Sequence, residues 1–484
     1  RLLNVRILYK NGNAVKEETF SYDSYGNVIN SSVKDYSSAN RQITKYEYNT
    51  YGRPSKTTSP MGLVTEFGYD DFGRVKTMYD FRGGATSYSY DDFGRETSVT
   101  YPDNTRKSIA LSWETDGSDG IYRKTQETTG LPKSAIVFDA LNRDVCTSER
   151  LLNGKELVVL KQYDDDGHLS SVSNPYDKSV PPFWKSYDYD IYGSVTSCTE
   201  SSTAVTKYEY DGNSVTTTSK GITQTQSYDA LGNLISVTDS AGTIACQFAP
   251  DGNIVSITAP GNITTRFGYD TYRRRIRLVD PSMGTTTYEY DDSGNLSKET
   301  DANGNVKQYE YDQYDRLVKS TCPEFTTSYK YNTLGDLVEV ATSNGTGKTI
   351  SYDDFGRVRQ WKQTVQDGKW LQKDYAYADG NVSSIEYTSQ AGLISKENYV
   401  YVDGSLKEVN LNGTTKVYGI ETLSSHGTAS SIVSGNITRK YLYTPAGLLS
   451  GRSVASPGKK YQDISYTFNA HTLNMMSRRI TLGT

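Results

Sequence analysis

The 484 residues carry 52 Lys+Arg against 57 Asp+Glu, a net charge of −5, which leaves no basic footprint for nucleic acid. Apolar residues with tyrosine included reach only 35%; because the chain holds 41 Tyr and 41 Gly, counting glycine instead gives the same share, against the ~45–50% usual in globular domains. Aromatics at 12% exclude a disordered chain, and no apolar run is long enough to cross a membrane as a helix.

Length alone would suggest about three domains of ~150 residues. The composition points elsewhere. Tyrosine is the main material for burial, and it packs through its ring while its hydroxyl stays wet. A thin layer with two accessible faces suits it better than a dense ball. Cys146, Cys198, Cys246 and Cys322 form no close pair, so free thiols are expected.

In chain order, Arg1 is followed by no signal-like apolar stretch and the repeats start almost at once, so the chain reads as an excised segment with its address label upstream. Tyr46-Glu47-Tyr48 runs into Asn49-Thr50-Tyr51-Gly52-Arg53, a unit in which two tyrosines flank one residue and open onto a turn. The Tyr-x-Tyr triplet occurs ten times, and such recurrence marks a repeat protein. Between Tyr90 and Phe138, Trp113-Glu114-Thr115-Asp116-Gly117 is read as replacing Tyr-Asp. Phe138-Asp139-Ala140-Leu141-Asn142 lacks the glycine, but Asn tolerates the left-handed region. Tyr163 to Tyr189 spans 26 residues and Tyr352 to Tyr377 spans 25, as loop lengthening allows.

The clearest run places turn aromatics at Tyr228, Phe248, Tyr269, Tyr290, Tyr311, Tyr331 and Tyr352, in steps of 20 or 21. Within it, Tyr269-Asp270-Thr271-Tyr272-Arg273 puts arginine in the glycine slot, and a reshaped turn is expected there. The segment from Tyr466 to Met475 reads as one more degenerate repeat. Residues 1–440 are therefore assigned to the repeat array. Residues 441–484 are assigned to terminal degenerate repeats leading toward a core and a C-terminal extension.

Inside a unit the period is two. In Thr285-Thr286-Thr287-Tyr288-Glu289-Tyr290 the β-branched and aromatic residues favour a strand, with both tyrosines on one face. Asp291-Asp292-Ser293-Gly294 follows: Asp291 can accept the N–H two residues on, and Gly294 supplies a positive φ. This is a type I turn with a glycine bulge. Leu296 starts the return strand, and a linker such as Asp301-Ala302-Asn303-Gly304 leads to the next unit. Helical periodicity is absent. Roughly twenty such hairpins spaced ~4.8 Å per strand would make a ribbon nearly 200 Å long, more than an open sheet sustains without curling. The fold class expected is all-β: tandem antiparallel hairpins wound into a spiral, hollow shell, with tyrosines stacked into aromatic ladders.

No site of chemistry emerges. Ser343-Asn344-Gly345-Thr346-Gly347-Lys348-Thr349 ends like a phosphate loop, but Thr342 stands where glycine is needed and Ile350-Ser351-Tyr352 reads as a strand. Asp164-Asp165-Asp166-Gly167 and Asp301-Ala302-Asn303-Gly304-Asn305 fail the EF-hand spacing. His168, His426 and His471 are far apart and suggest no zinc, and no activated nucleophile is visible. Catalytic, cofactor and metal residues are therefore expected to be none. Arg273-Arg274-Arg275-Ile276-Arg277 is the one basic cluster, either a solvated rim or, through Arg273, Arg274 and Arg275, a cargo or partner contact. Trp361 and Trp370 could stack on sugars or cap a long hairpin.

Tyr228-Asp229-Ala230-Leu231-Gly232-Asn233-Leu234 and Tyr352-Asp353-Asp354-Phe355-Gly356-Arg357-Val358 resemble the YD repeat of Rhs proteins, insecticidal toxin-complex shells and teneurins. More than a dozen recognisable copies cover nearly the whole chain. The resemblance implies a hollow β-shell that in bacterial members encloses a C-terminal toxin, often freed by self-cleavage, and that in teneurins supports adhesion. The family's Asp-Pro-x-Gly cleavage region is not identifiable, since Asp280-Pro281 lies in an ordinary linker. The expected function is a non-enzymatic shell segment that encloses or presents a downstream effector of the same polypeptide. The product is expected to be secreted or on a bacterial cell surface, with secretion machinery or surface glycans as further partners. The alternative is an adhesion or carbohydrate-binding module.

Overall fold

The computed structural model describes residues 2–10, 13–35, 41–114, 120–200, 205–469 and 473–483. Among them there are 43 strands and no helix, from Val5–Lys10 to Met475–Leu482. Each strand pairs antiparallel with the next in the chain, and the last does not return to the first. Every pairing is thus a hairpin or the linker between hairpins. This is the cheapest topology for a chain whose turn residues recur every ten or so positions, because each loop closure is short.

The unit built on Gly284–Tyr290 and Leu296–Thr300 shows how the sequence produces it. Tyr288 faces Glu299 and Glu289 faces Lys298, then the register slips by one so that Tyr290 faces Leu296. The slip is the bulge, and it is closed by Gly294 at φ 96° with its N–H on the Asp291 carbonyl at 3.1 Å. Asn142 takes the same left-handed conformation at φ 62° in the turn that lacks glycine.

Arg273 departs from expectation. Its turn is not reshaped: φ is 64°, its N–H meets the Asp270 carbonyl at 3.0 Å, and Asp270 N–H meets the Arg274 carbonyl at 2.9 Å. The flanking strands fix the turn, and the arginine accepts the strain of about 1–2 kcal/mol. Arg273→Gly is therefore expected to stabilise the protein by about 1 kcal/mol, because the Arg273–Asp251 pair it deletes has its arginine 65% exposed and contributes little. Thermal unfolding of the variant checks this; an unchanged or lowered midpoint contradicts it. The turn proposed at Thr115–Gly117 lies outside the described residues, between Arg106–Trp113 and Tyr122–Thr128.

No ball-like core forms. The accessible surface is 28656 Å² for a 53.8 kDa chain, whereas a compact monomer of that mass exposes roughly 18,000 Å². The excess is what a sheet open on both faces requires. Most of the buried apolar side chains, among them Val99, Val137, Val158 and Cys198, lie in one stretch of the ribbon. There the linker after Leu169–Ser173 folds back, and Tyr176 exchanges backbone hydrogen bonds with Val158 at 2.8 and 3.0 Å.

The ribbon winds. Arg82, in the linker after Val75–Tyr79, meets Asp336 at 2.5 Å, 254 residues on. Asp103 meets Arg357 at 3.1 Å, again 254 residues on, and Arg150 meets Asp403 at 3.5 Å across 253. The Asn381 side-chain amide donates to the Gly130 carbonyl at 2.6 Å, and Asp177 N–H to the Ser425 carbonyl at 2.8 Å. Each of these joins a linker turn to a tyrosine-side turn 23 strands later. One winding is therefore 23 strands, about 110 Å around and about 35 Å across. The described chain makes just under two windings. The linker edge of the first carries the turn edge of the second, and the circle of strands encloses a space.

Candidate functional site: the repeat turn and the seam between windings

The repeated chemistry is concentrated in the turn that follows each tyrosine. At Asp229, Oδ1 accepts the N–H groups of Leu231 and Asn233, both at 2.9 Å, and Oδ2 accepts the Asn233 side-chain amide at 2.8 Å. Tyr228 precedes it, and Gly232 closes the turn at φ 83°. Asp291 repeats this with Asn295, and Asp353 with Arg357, whose Nε reaches Oδ2 at 2.8 Å while Gly356 holds φ 84°. These hydrogen bonds favour the carboxylate. The Asn233 side chain and then its backbone N–H hold Asp229 below the usual carboxylate range. At Asp353 partial burial works in the opposite direction and is outweighed by the Arg357 guanidinium and backbone N–H.

The expected tyrosine ladder is corrected by the structure. Tyr122 stacks on Phe138 and His168 on Tyr189, but among the described residues stacking does not run on from unit to unit. Turn tyrosines of consecutive units sit on alternate strands, two strand spacings or about 9.6 Å apart, which is too far for ring-on-ring contact. Instead the hydroxyl of most of them reaches back to a backbone carbonyl of the preceding unit, whereas that of Tyr228 donates to Gln226 Oε1 at 3.0 Å in its own strand. Tyr290 donates to Arg275 at 2.8 Å, Tyr311 to Leu296 at 2.9 Å and Tyr352 to Leu337 at 2.9 Å. The gap between rings is filled by the residue that follows the turn glycine.

Where that residue is arginine, it is a three-way clamp. Arg274 binds Asp270 at 2.7 Å and lies 5.1 Å from the centre of the Tyr272 ring and 4.6 Å from that of Tyr290 in the next unit. Arg74, Arg316 and Arg357 repeat the arrangement, with Tyr90, Tyr331 and Tyr377 as the next rings. Each such contact contributes about 0.5–2 kcal/mol. Sequence reading treated this slot as a turn consensus position and missed its role. The available signal was an arginine five residues after one tyrosine and 15 to 20 before the next.

The basic cluster is thereby divided. Arg274 is consumed by its turn, Arg273 pairs with Asp251 at 3.5 Å, and Arg275 lies against the Tyr288 ring at 4.8 Å. Arg273 and Arg275 are exposed, and Arg274 is not. The phosphate-loop lookalike is a turn, with Thr342 N–H on Thr346 O at 2.8 Å, followed by the strand Gly347–Tyr352. Lysines cover Trp370 and Trp361, Lys362 at 4.1 Å and Lys373 at 5.4 Å. His168 takes the arginine slot beside Asp164, His426 reaches the Pro445 carbonyl, and His471 lies outside the described residues. Among the described residues no cluster of metal-ligating side chains occurs, and the four cysteines are free thiols.

Phenol burial sets an alkaline limit. Burial, then the hydrogen bond and charge of Asp144, push Tyr163 up to about 12. A raised folded-state pKa means stabilisation that is complete below the ordinary tyrosine value near 10 and lost as pH climbs toward 12. Unfolding between about pH 10 and 12 should therefore coincide with ionisation of Tyr163, read as the part of the tyrosinate absorbance that Tyr163→Phe removes. Loss of that part near pH 10 in a still-folded protein would contradict this.

The RHS Repeat family model matches residues 48–85, 69–106, 275–306 and 290–324. In fold, the chain superposes on the crystal structure of TcdB2-TccC3 with a TM-score of 0.80 at 14% identity, over 99% of this chain and 31% of that one. The same complex without its hypervariable C-terminal region gives 0.59 at 12% identity, over 99% and 33%. The Photorhabdus luminescens Tc holotoxin pore gives 0.60 at 16%, over 99% and 27%. At these identities the likeness is one of fold, and this chain spans about a third of the length of those chains. No curated protein matches it in sequence.

Proposed function

This chain is an RHS-repeat protein with the YD-repeat shell fold, and on that premise we propose that it forms part of the wall of a container for a polypeptide effector carried downstream in the same protein. The observation that carries this reading is the excess of accessible surface: about 10,000 Å² beyond a compact chain of this mass, in a ribbon whose two windings are locked edge to edge. Such a wall is braced along the seam between its windings, and what it repeats is the turn motif. The wall acts by exclusion, keeping proteases and the producing cell away from what it surrounds. The crystal structure of a fold neighbour lacking a hypervariable C-terminal region agrees with a variable cargo following a constant wall.

In this reading residues 1–440 are wall and 441–484 lead toward the core and cargo, Arg273 and Arg275 face a partner, and the product works outside the bacterial cell that makes it. Glycan adhesion through Trp361 and Trp370 fits the geometry less well, because lysines lie over both rings. The test is protease protection in the native protein. The downstream segment should survive digestion while the wall is closed and be degraded when the seam is opened by Gly130→Ala. Degradation at the rate of the free segment with the wall intact would overturn the proposal.

A further inference from the structure

Charge is distributed unevenly along the chain. Between Ile437 and Leu482 stand seven Lys and Arg against one Asp, whereas the remaining residues hold 45 Lys and Arg against 56 Asp and Glu. The basic block forms the last four described strands, Ile437–Tyr443, Leu449–Ser456, Lys459–Phe468 and Met475–Leu482. In three other units the residue between the two tyrosines, on the face opposite them, pairs with an opposite charge across the hairpin: Glu289 with Lys298 at 2.8 Å, Glu310 with Lys319 at 2.7 Å and Lys330 with Glu339 at 2.9 Å. In Tyr441-Leu442-Tyr443 that pair is Leu442 and Gly451. Leu442 is 67% exposed, and the missing side chain at Gly451 leaves a dent of about 450 Å³. Lys440 and Arg479 line it and each faces a serine, Ser453 and Ser465. Both cations are exposed and neither has a carboxylate partner among the described residues. The carboxylates nearby are engaged: Asp463 with Lys460, and Glu421 with the Ser431 hydroxyl at 3.2 Å.

We propose that this dent binds an extended acidic segment of a partner polypeptide, one with carboxylates four residues apart and an apolar residue midway. Lys440 and Arg479 stand at opposite corners, three strand spacings and two residues apart, about 16 Å between their Cα atoms. An extended chain rises ~3.4 Å per residue and turns alternate side chains to one face, so residues i, i+2 and i+4 face the same way over about 14 Å. Carboxylates at i and i+4 meet the lysine and the arginine, in the place of the cross-strand acids that other units supply. The residue at i+2 settles over Gly451 against Leu442. Nucleic acid suits the dent less well: its phosphates would run on from the block to a wall with 56 acids against 45 bases. A second copy does not supply the segment, because acids four apart occur in this chain only as Glu66 with Asp70 and Asp92 with Glu96, both with glycine midway. The tyrosine face of the block is the poorer site, since Arg452, opposite Tyr441, has its Nε buried beyond the reach of a ligand.

The test is fluorescence anisotropy of a labelled Glu-Ser-Leu-Ser-Glu peptide on the native protein. Binding should weaken as salt rises, because both cations are exposed. The Lys440→Glu, Arg479→Glu double variant should lower the affinity by about tenfold or more and leave the thermal midpoint unchanged. Leu442→Glu, at another exposed position, should act in the same direction. Arg478→Glu, on the tyrosine face opposite Tyr466, should leave the affinity as it is. A peptide of the same composition with its two glutamates adjacent should bind more weakly. No binding, equal binding of the rearranged peptide, or affinity retained in the double variant would overturn the proposal. So would a single-stranded oligonucleotide that displaces the peptide at a lower concentration than the unlabelled peptide does.

Discussion

Gly130→Ala is expected to destabilise the protein by roughly 2–5 kcal/mol, against about 1–2 for Gly304→Ala. Both glycines have a positive φ, 78° and 81°, so both variants place an L side chain in the left-handed region. They differ in what the new methyl meets. At Gly304 nothing lies within 4 Å, whereas at Gly130 the methyl would overlap the Asp379 carbonyl oxygen of the second winding. Backbone cannot rotate away as a side chain can, so the windings must part and the Asn381 hydrogen bond to Gly130 O is lost. Chemical unfolding of the two variants side by side isolates the seam term. Equal losses would mean that the windings do not touch there.

Arg357→Ala is expected to cost roughly 2–4 kcal/mol, more than any surface arginine outside this motif. Its guanidinium serves its own turn through Asp353 at 2.8 Å and the next unit through the Tyr377 ring at 4.4 Å. It serves the other winding through Asp103 at 3.1 Å. Arg357→Asn should recover part of the loss, because asparagine at this slot holds the turn aspartate, as Asn233 holds Asp229 at 2.8 Å. It reaches neither the ring nor the seam. The order of midpoints should be wild type, then Asn, then Ala. A double-mutant cycle with Asp103→Ala should return a coupling of about 0.5–1 kcal/mol; zero coupling would remove the seam role.

The hairpins were legible because they are local. Thr285–Tyr290 alternates with period two, Asp291 and Gly294 dictate the turn, and both signals lie within ten residues. The clamp was half legible: its aspartate was recognised as turn chemistry, but the arginine slot reveals its purpose only when the next unit's tyrosine is placed beside it. The aromatic ladder failed for a metric reason, since tyrosines recurring every 21 residues fall on alternate strands and their rings are held too far apart to stack. Arg273 failed differently. Intrinsic preference argued for a reshaped turn, and the two strands it joins overrode that preference.

By itself, the order of amino acids determined that this protein is a serial antiparallel sheet of tyrosine-marked hairpins. Each of those properties is decided by neighbours a few residues apart. The three-dimensional structure alone decided how many strands make a winding, which edge carries the next, and which turn tips remain bare. Those follow from a small rotation between adjacent strands summed over 23 of them, and from contacts such as Arg82 with Asp336 across 254 residues. No single repeat contains either quantity.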